Sequence, residues 1–383
     1  MLTSGISFVN FNKKNKSLRL RRNLQSIIND KNEILNSLSN NYRDSYKKNF
    51  VDKYKAFSNY RVIGMGGSIL GTRTIYEFLK QKIKKNFLFI DNLQNTLSKS
   101  KKNTVNIIVS KSGNTIETIT NSNIIIKKNN KNIFVTENKK NYLYQLAENL
   151  KGEIVHHNNY IGGRYSVLSE VGMLPAELMG LKSKNFRQFN SLIKNRRFLN
   201  SLINNVSSIL YYIKKRKFNS IIINYDEKSE SLFKWYQQLV AESLGKKKKG
   251  LLPIVSNMPK DNHSVMQLYL DGFQNNFYTF FYVDEKKSKK LNNKIILPSH
   301  KFLKNKSISK IIYSQKKASE NIFLKKNIPF RSFEVKKRDE KTLGELFSFF
   351  ILETILLGKA LKLNPYDQPA VELIKKETKK ILT

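Results

Sequence analysis

Apolar residues recur at three- and four-residue spacing in LRLRRNLQSIINDKNEILNSLSNNY, which predicts that residues 1–58 form an N-terminal helical segment. From Tyr60 the pattern changes to short apolar runs separated by helix-length intervals: RVIGM, NFLFID, TVNIIVS, KNIFVTE and GEIVHH. Strands alternating with helices predict a parallel sheet covered on both faces, here spanning residues 59–181. A polar helical connection over residues 182–217 leads to a second series within 218–338, made of NSIIINY, GLLPIVS, NNFYTFFYV and PFRSFEV. Residues 339–383 read as a long apolar helix, a turn at NPYDQP and a Lys-rich helix. The expected fold class is α/β: two three-layer α/β/α domains with mainly parallel sheets, flanked by N- and C-terminal helices.

Composition narrows the chemistry. Two or three domains suit 383 residues. The absence of cysteine excludes disulfides, a thiolate nucleophile and Cys-ligated metal. His156 and His157 have no third ligand near them in sequence, so no metal and no cofactor are expected. The net charge of +41 comes from 57 Lys but only 13 Arg, scattered through the chain with much Asn and Ile. Arg recognises phosphate and base edges geometrically, whereas scattered Lys reads as compositional bias, so no specific nucleic-acid partner is expected. No apolar run approaches the roughly 18 residues of a membrane span. The N-terminus lacks the charged start and apolar heart of a signal peptide. These features predict a soluble, cytoplasmic protein with no membrane partner.

Two turns carry candidate chemistry. Gly64-Met65-Gly66-Gly67-Ser68 follows the first strand and precedes a helical run. Glycines let backbone N–H groups approach an anion, and the helix start behind them favours it. A dinucleotide fingerprint would need glycine where Ile69 stands, although Asp91 lies plausibly downstream for a ribose contact. Ser110-Lys111-Ser112-Gly113-Asn114-Thr115 ends the third strand, and Asn114 with Glu117 has the spacing of a capping box. Hydroxyls, a lysine and free N–H groups at one helix start suit a phosphate monoester. Ordinary capped or tight turns without ligand are the alternative, but two at the carboxyl edge of one parallel sheet favour binding.

Six segments in order, GMGGSILG, SKSGNTIET, GGRYSVLSEVGMLPA, AESLGK, NHSVMQLYLDG and NPYDQPAVELIK, resemble the motifs of the glucose-6-phosphate isomerase family. The resemblance implies two sugar-isomerase (SIS-type) domains, a homodimer, and metal-free interconversion of glucose 6-phosphate and fructose 6-phosphate through a cis-enediolate. It implies that Glu242 is the base, with Gln238 one helical turn earlier lining the sugar site. A pocketed carboxylate has its pKa raised toward working pH, which would suit proton abstraction. His263 and Lys375 are implied as ring-opening residues, with His263 contributed across the dimer interface. The S-x-x-Q spacing of Ser264 and Gln267 predicts a helix start that keeps His263 neutral. Arg164 matches the arginine that holds enediolate charge. Ser110, Lys111, Ser112 and Thr115, with Gly67, Ser68 and Gln368, match the substrate-binding positions. Lys246 is the motif's own lysine, and Lys247, Lys248 and Lys249 are expected to form a solvated loop. The rivals are a dual phosphoglucose/phosphomannose isomerase, whose glycine and S-G-N-T turns look similar, and a non-catalytic sugar-phosphate sensor, which would need the cradles but not Glu242, His263 and Lys375 together.

Overall fold

The computed structural model describes residues 2–11, 17–93, 103–127 and 129–383. Its first sheet contains β2 (Asn59–Gly64), β3 (Asn86–Ile90), β4 (Thr104–Val109), β5 (Lys131–Glu137) and β6 (Glu153–His157), after β1 (Ile6–Val9), which lies elsewhere. The order is β3-β2-β4-β5-β6 and every pairing is parallel. Branched and aromatic residues bury the inner strands β2, β4 and β5 on both faces, as the near-continuous apolar runs require.

The second sheet contains β7 (Asn219–Asn224), β8 (Leu252–Asn257), β9 (Asn276–Val283) and β10 (Phe330–Val335), in the order β1-β10-β9-β7-β8. All nine strands expected from the apolar runs are present. The exception to the sequence reading is β1. Residues 1–58 were expected to be helical throughout, yet Ile6–Val9 pairs antiparallel with β10 and closes the edge of the second sheet. A four-residue strand beside a longer helical pattern leaves too little periodicity to stand out. Residues 12–16 of that segment lie outside the described residues.

In both sheets the chain steps outward from a central strand, returns, and continues on the other side. This creates a switch point between β2 and β4 in the first sheet and between β7 and β9 in the second. Ligands in open parallel sheets bind at the carboxyl edge of such points. Between the sheets run the helices Glu230–Leu244 and Glu340–Ala360. The latter is buried from Thr342 to Gly358, and one apolar cluster takes in Val62 and Ile107 of the first sheet and Ile222 and Phe281 of the second. Glu353, a polar interruption in that helix, is fully buried. It contacts Arg331 and accepts from Tyr236 Oη at 2.7 Å. No helix among the described residues is long and apolar enough to cross a membrane.

Candidate active site

The turns after β2 and β4 flank the first switch point. After β4, Gly113 adopts φ +66° and lies so close to Asn141 that an added Cβ would fall 1.8 Å from its Oδ1. Only glycine permits this reversal, which gathers Ser110, Lys111, Ser112 and Thr115 at one place. Ser110 and Thr115 hydroxyls meet at 2.9 Å, and Ser112 Oγ accepts from Asn114 N at 3.3 Å. The capping box expected here does not form. Helix Ile116–Ile125 starts one residue later, with Thr115 as its N-cap, and Asn114 Oδ1 accepts from Tyr142 N at 3.2 Å at the start of the next helix. A side chain with two possible backbone donors goes to the one tertiary packing brings nearer.

These residues line a cavity of about 630 Å³, joined by Ser68, Gln368 and Lys375. Lys111 Nζ donates to the Asn159 carbonyl at 2.6 Å, and burial holds its ammonium below the ordinary lysine value. Gly67 is not on the cavity wall. It packs against the Gly162–Arg164 backbone, and a Cβ there would fall 2.2 Å from the Gly163 carbonyl carbon. The close approach fixes the first turn against the segment that carries Arg164.

Arg164 is the junction of the site. Only 2% exposed, it donates from Nε to Ser243 Oγ at 2.8 Å and from Nη2 to the carbonyls of Pro365 at 2.7 Å and Asp367 at 3.1 Å. Its Nη1 reaches both Glu242 Oε2 at 3.1 Å and Gln368 Oε1 at 2.7 Å. Gln238 Nε2 donates to Glu242 Oε1 at 2.7 Å, one helical turn apart on helix Glu230–Leu244. Glu242 and Gln238 open onto a neighbouring recess of about 530 Å³ rather than the first cavity. The enclosure expected around Glu242 is incomplete in the single chain, since its side chain keeps 28% exposure.

The Asn364–Gln368 turn is held by Lys246, whose Nζ donates to Asp367 Oδ1 at 2.6 Å and to the Asp367 carbonyl at 2.5 Å. Lys249, expected to be solvated, also donates to the Leu361 carbonyl at 3.1 Å. Lys375 sits on the exposed helix Pro369–Leu382 and pairs with Glu372 at 2.7 Å. His263 is the residue the chain does not bring in. It is exposed on the short turn Lys260–His263 and lines neither recess. The following helix begins at Met266, with Val265 as N-cap and no side-chain cap bond, so Ser264 does not play the part its spacing suggested.

Asp91 is committed to Arg73 at 2.5 Å, which removes it from any ribose contact. Sequence reasoning missed Glu33, Glu137 and Tyr366 on the cavity wall. Glu137 ends β5, so its edge position was legible. Glu33 comes from the N-terminal segment, and nothing in its local pattern places it there.

A family model for phosphoglucose isomerase matches residues 22–252. The glucose-6-phosphate isomerase of Methanocaldococcus jannaschii is 33% identical over 359 residues, covering 88% of each chain. Among solved structures, a hypothetical protein from Thermus thermophilus superposes with a TM-score of 0.83 at 22% identity, covering 95% of this chain and 94% of that one. A glucose-6-phosphate isomerase from Chlamydia trachomatis gives 0.71 at 17% identity, covering 99% and 89%. The fold is therefore the mainly parallel, two-sheet α/β fold of sugar isomerases.

Proposed function

Because the chain belongs to the phosphoglucose isomerase family, we propose that it interconverts glucose 6-phosphate and fructose 6-phosphate by ring opening and a cis-enediolate. The observation that carries this reading is Arg164, buried and bonded at once to Glu242 and to Gln368 on the cavity wall. The guanidinium at that junction places its charge beside Glu242, where negative charge develops on the enediolate oxygens, and those oxygens take over an Nη1 donor that Gln368 or Glu242 holds in the free chain.

In this reading the phosphate sits among Ser68, Ser110, Lys111, Ser112 and Thr115, where hydroxyl and ammonium donors converge at the switch point. The sugar extends toward Arg164, past Gln368. Glu242 takes the C2 proton and returns it to C1. Gln238 holds one carboxylate oxygen, so the other is presented in a fixed direction. Binding free energy from the remote phosphate orients the reacting carbons. Lys375 and His263 open the ring.

His263 points to a second chain in this proposal. It is exposed and away from both recesses, as a residue donated to a neighbour would be. We infer a homodimer in which each His263 completes the other subunit's site, working in the cytoplasm on the cell's sugar phosphates.

One experiment tests the roles together. Conversion of fructose 6-phosphate is followed in a coupled assay with wild type, Glu242→Gln, His263→Ala and a refolded mixture of the two variants. Wild type is active with or without EDTA, and each variant alone loses on the order of 10²–10⁴-fold. The mixture regains about a quarter of wild-type activity, since half the dimers are mixed and each carries one intact site. Full activity of Glu242→Gln would sink the assignment of the base, and no recovery in the mixture would place His263 in its own subunit's site.

A further inference from the structure

The segment between Asn158 and Glu170 carries Gly162, Gly163 and Arg164, and its two ends are clipped together. Asn158 N donates to Glu170 Oε1 at 2.5 Å. The other carboxylate oxygen accepts from Tyr42 Oη at 2.9 Å, and Glu170 is 1% exposed. Asn158 spends its remaining polar groups on the same segment and on Glu33. Its Oδ1 accepts from Tyr160 N at 2.9 Å, its carbonyl from Ile161 N at 3.1 Å, and its Nδ2 donates to Glu33 Oε2 at 2.9 Å. The same carbonyl faces His157 Nδ1 at 2.9 Å. Burial pushes the His157 imidazole down to about 4, so the ring is neutral and donates its Nδ1–H to that carbonyl.

Neither Glu170 nor His157 lines the cavity. A buried carboxylate is costly unless hydrogen bonds compensate it, and an apolar residue of similar volume often serves stability as well. What these bonds fix is the entry to a turn with almost no tolerance. Gly163 lies in backbone contact with Gly67, and Arg164 must be aimed at Glu242 and Gln368 together.

We propose that Glu170, acting through Asn158, is a positioning residue that aims Arg164 at the reacting oxygens. The proposal rests on the isomerase reading above. It makes a distinction that general destabilisation does not. Misaiming Arg164 weakens ligands that carry negative charge where the enediolate forms and leaves the phosphate cradle unaffected.

The test compares Glu170→Ala, Glu170→Gln and Tyr42→Phe with wild type by calorimetric binding of two ligands. 5-Phosphoarabinonate presents a carboxylate at the reacting end, and glucitol 6-phosphate presents neutral hydroxyls. In Glu170→Ala the preference for the aldonate falls about 10- to 100-fold and kcat falls with it, while KM and polyol affinity stay within about threefold. Glu170→Gln regains most of the loss, because its amide oxygen still accepts from Asn158 N. Tyr42→Phe, which keeps the Asn158 bond and removes one support, lowers the preference about two- to threefold and serves where Glu170→Ala does not fold. Equal weakening of both ligands, or an unchanged preference in a folded variant, overturns the proposal. Inactive wild type would instead overturn the isomerase reading, and the binding preference would still report on the positioning.

Discussion

The two sheets have the same strand order around their switch points, and the carboxyl edges of those points meet opposite fates. In the first, Ser68 follows β2, Ser110 follows β4, and a cavity opens between them. In the second, Asp226 follows β7, Glu285 follows β9, and Arg338 reaches in after β10 to fill the place. Arg338 Nη2 donates to Asp226 Oδ1 at 2.6 Å, its Nη1 to Asp226 Oδ2 at 3.2 Å, and Glu285 lies at 2.7 Å. Ser229 also donates to Asp226. The comparison teaches that topology supplies a crevice, whereas side chains determine whether it binds a ligand. Where the chain provides its own carboxylate and guanidinium, the crevice becomes a weld beside helix Glu230–Leu244. Where it provides hydroxyls and a lysine, the crevice stays open.

Three measurements sharpen that contrast. The largest effect belongs to the filled crevice. Asp226→Ala leaves the Arg338 guanidinium, with 5% side-chain exposure, without its bidentate partner. Glu285 still pairs with it, so chemical denaturation is expected to show a loss of about 2–3 kcal/mol, short of that for a fully stranded charge. A change below about 1 kcal/mol, the value for an exposed pair, would mean the weld holds nothing. Next is the open crevice. Ser110→Ala removes one donor from the proposed phosphate cradle and strands no charge, so stability changes by about 1 kcal/mol or less while KM rises roughly tenfold. A stability loss equal to that of Asp226→Ala would erase the distinction. The smallest effect is a pH profile. Burial holds Lys111 below an ordinary lysine, so its ammonium is lost at lower pH than a solvated one. Losing a cation weakens phosphate binding, so kcat/KM falls several-fold on the alkaline side, at a pH below the one where a solvated lysine loses its proton. Lys111→Arg keeps its charge throughout that range and flattens the fall. A wild-type profile already flat there would remove Lys111 from the cradle.

How far the site was legible in the sequence varied with the range of the interactions involved. Strands such as TVNIIVS and NNFYTFFYV announce themselves, because a doubly buried parallel strand must be apolar along its length. The hydroxyl-rich turn after β4 was equally plain, since its donors are neighbours in sequence. Caps were less reliable. Asn114 and Ser264 both had capping spacing and neither caps its own helix, because an alternative bond partner or a shifted helix start took precedence. Strand β1 was invisible, as its pairing with β10 joins residues more than 300 positions apart.

The sequence by itself determined the alternation of strands and helices, the two anion-suited turns and, through six ordered motifs, the residue types needed for aldose–ketose chemistry. These are local properties, written in periodicity and in neighbouring side chains. Only the tertiary structure decided that Arg164 joins Glu242 to Gln368, that Glu33 walls the cavity, that Glu170 clips the arginine segment, and that Arg338 closes the second crevice while the first stays open. Each of these depends on bringing distant segments within hydrogen-bond reach. Their meeting points follow from how two sheets and the helices between them pack, and no spacing along the chain encodes that distance.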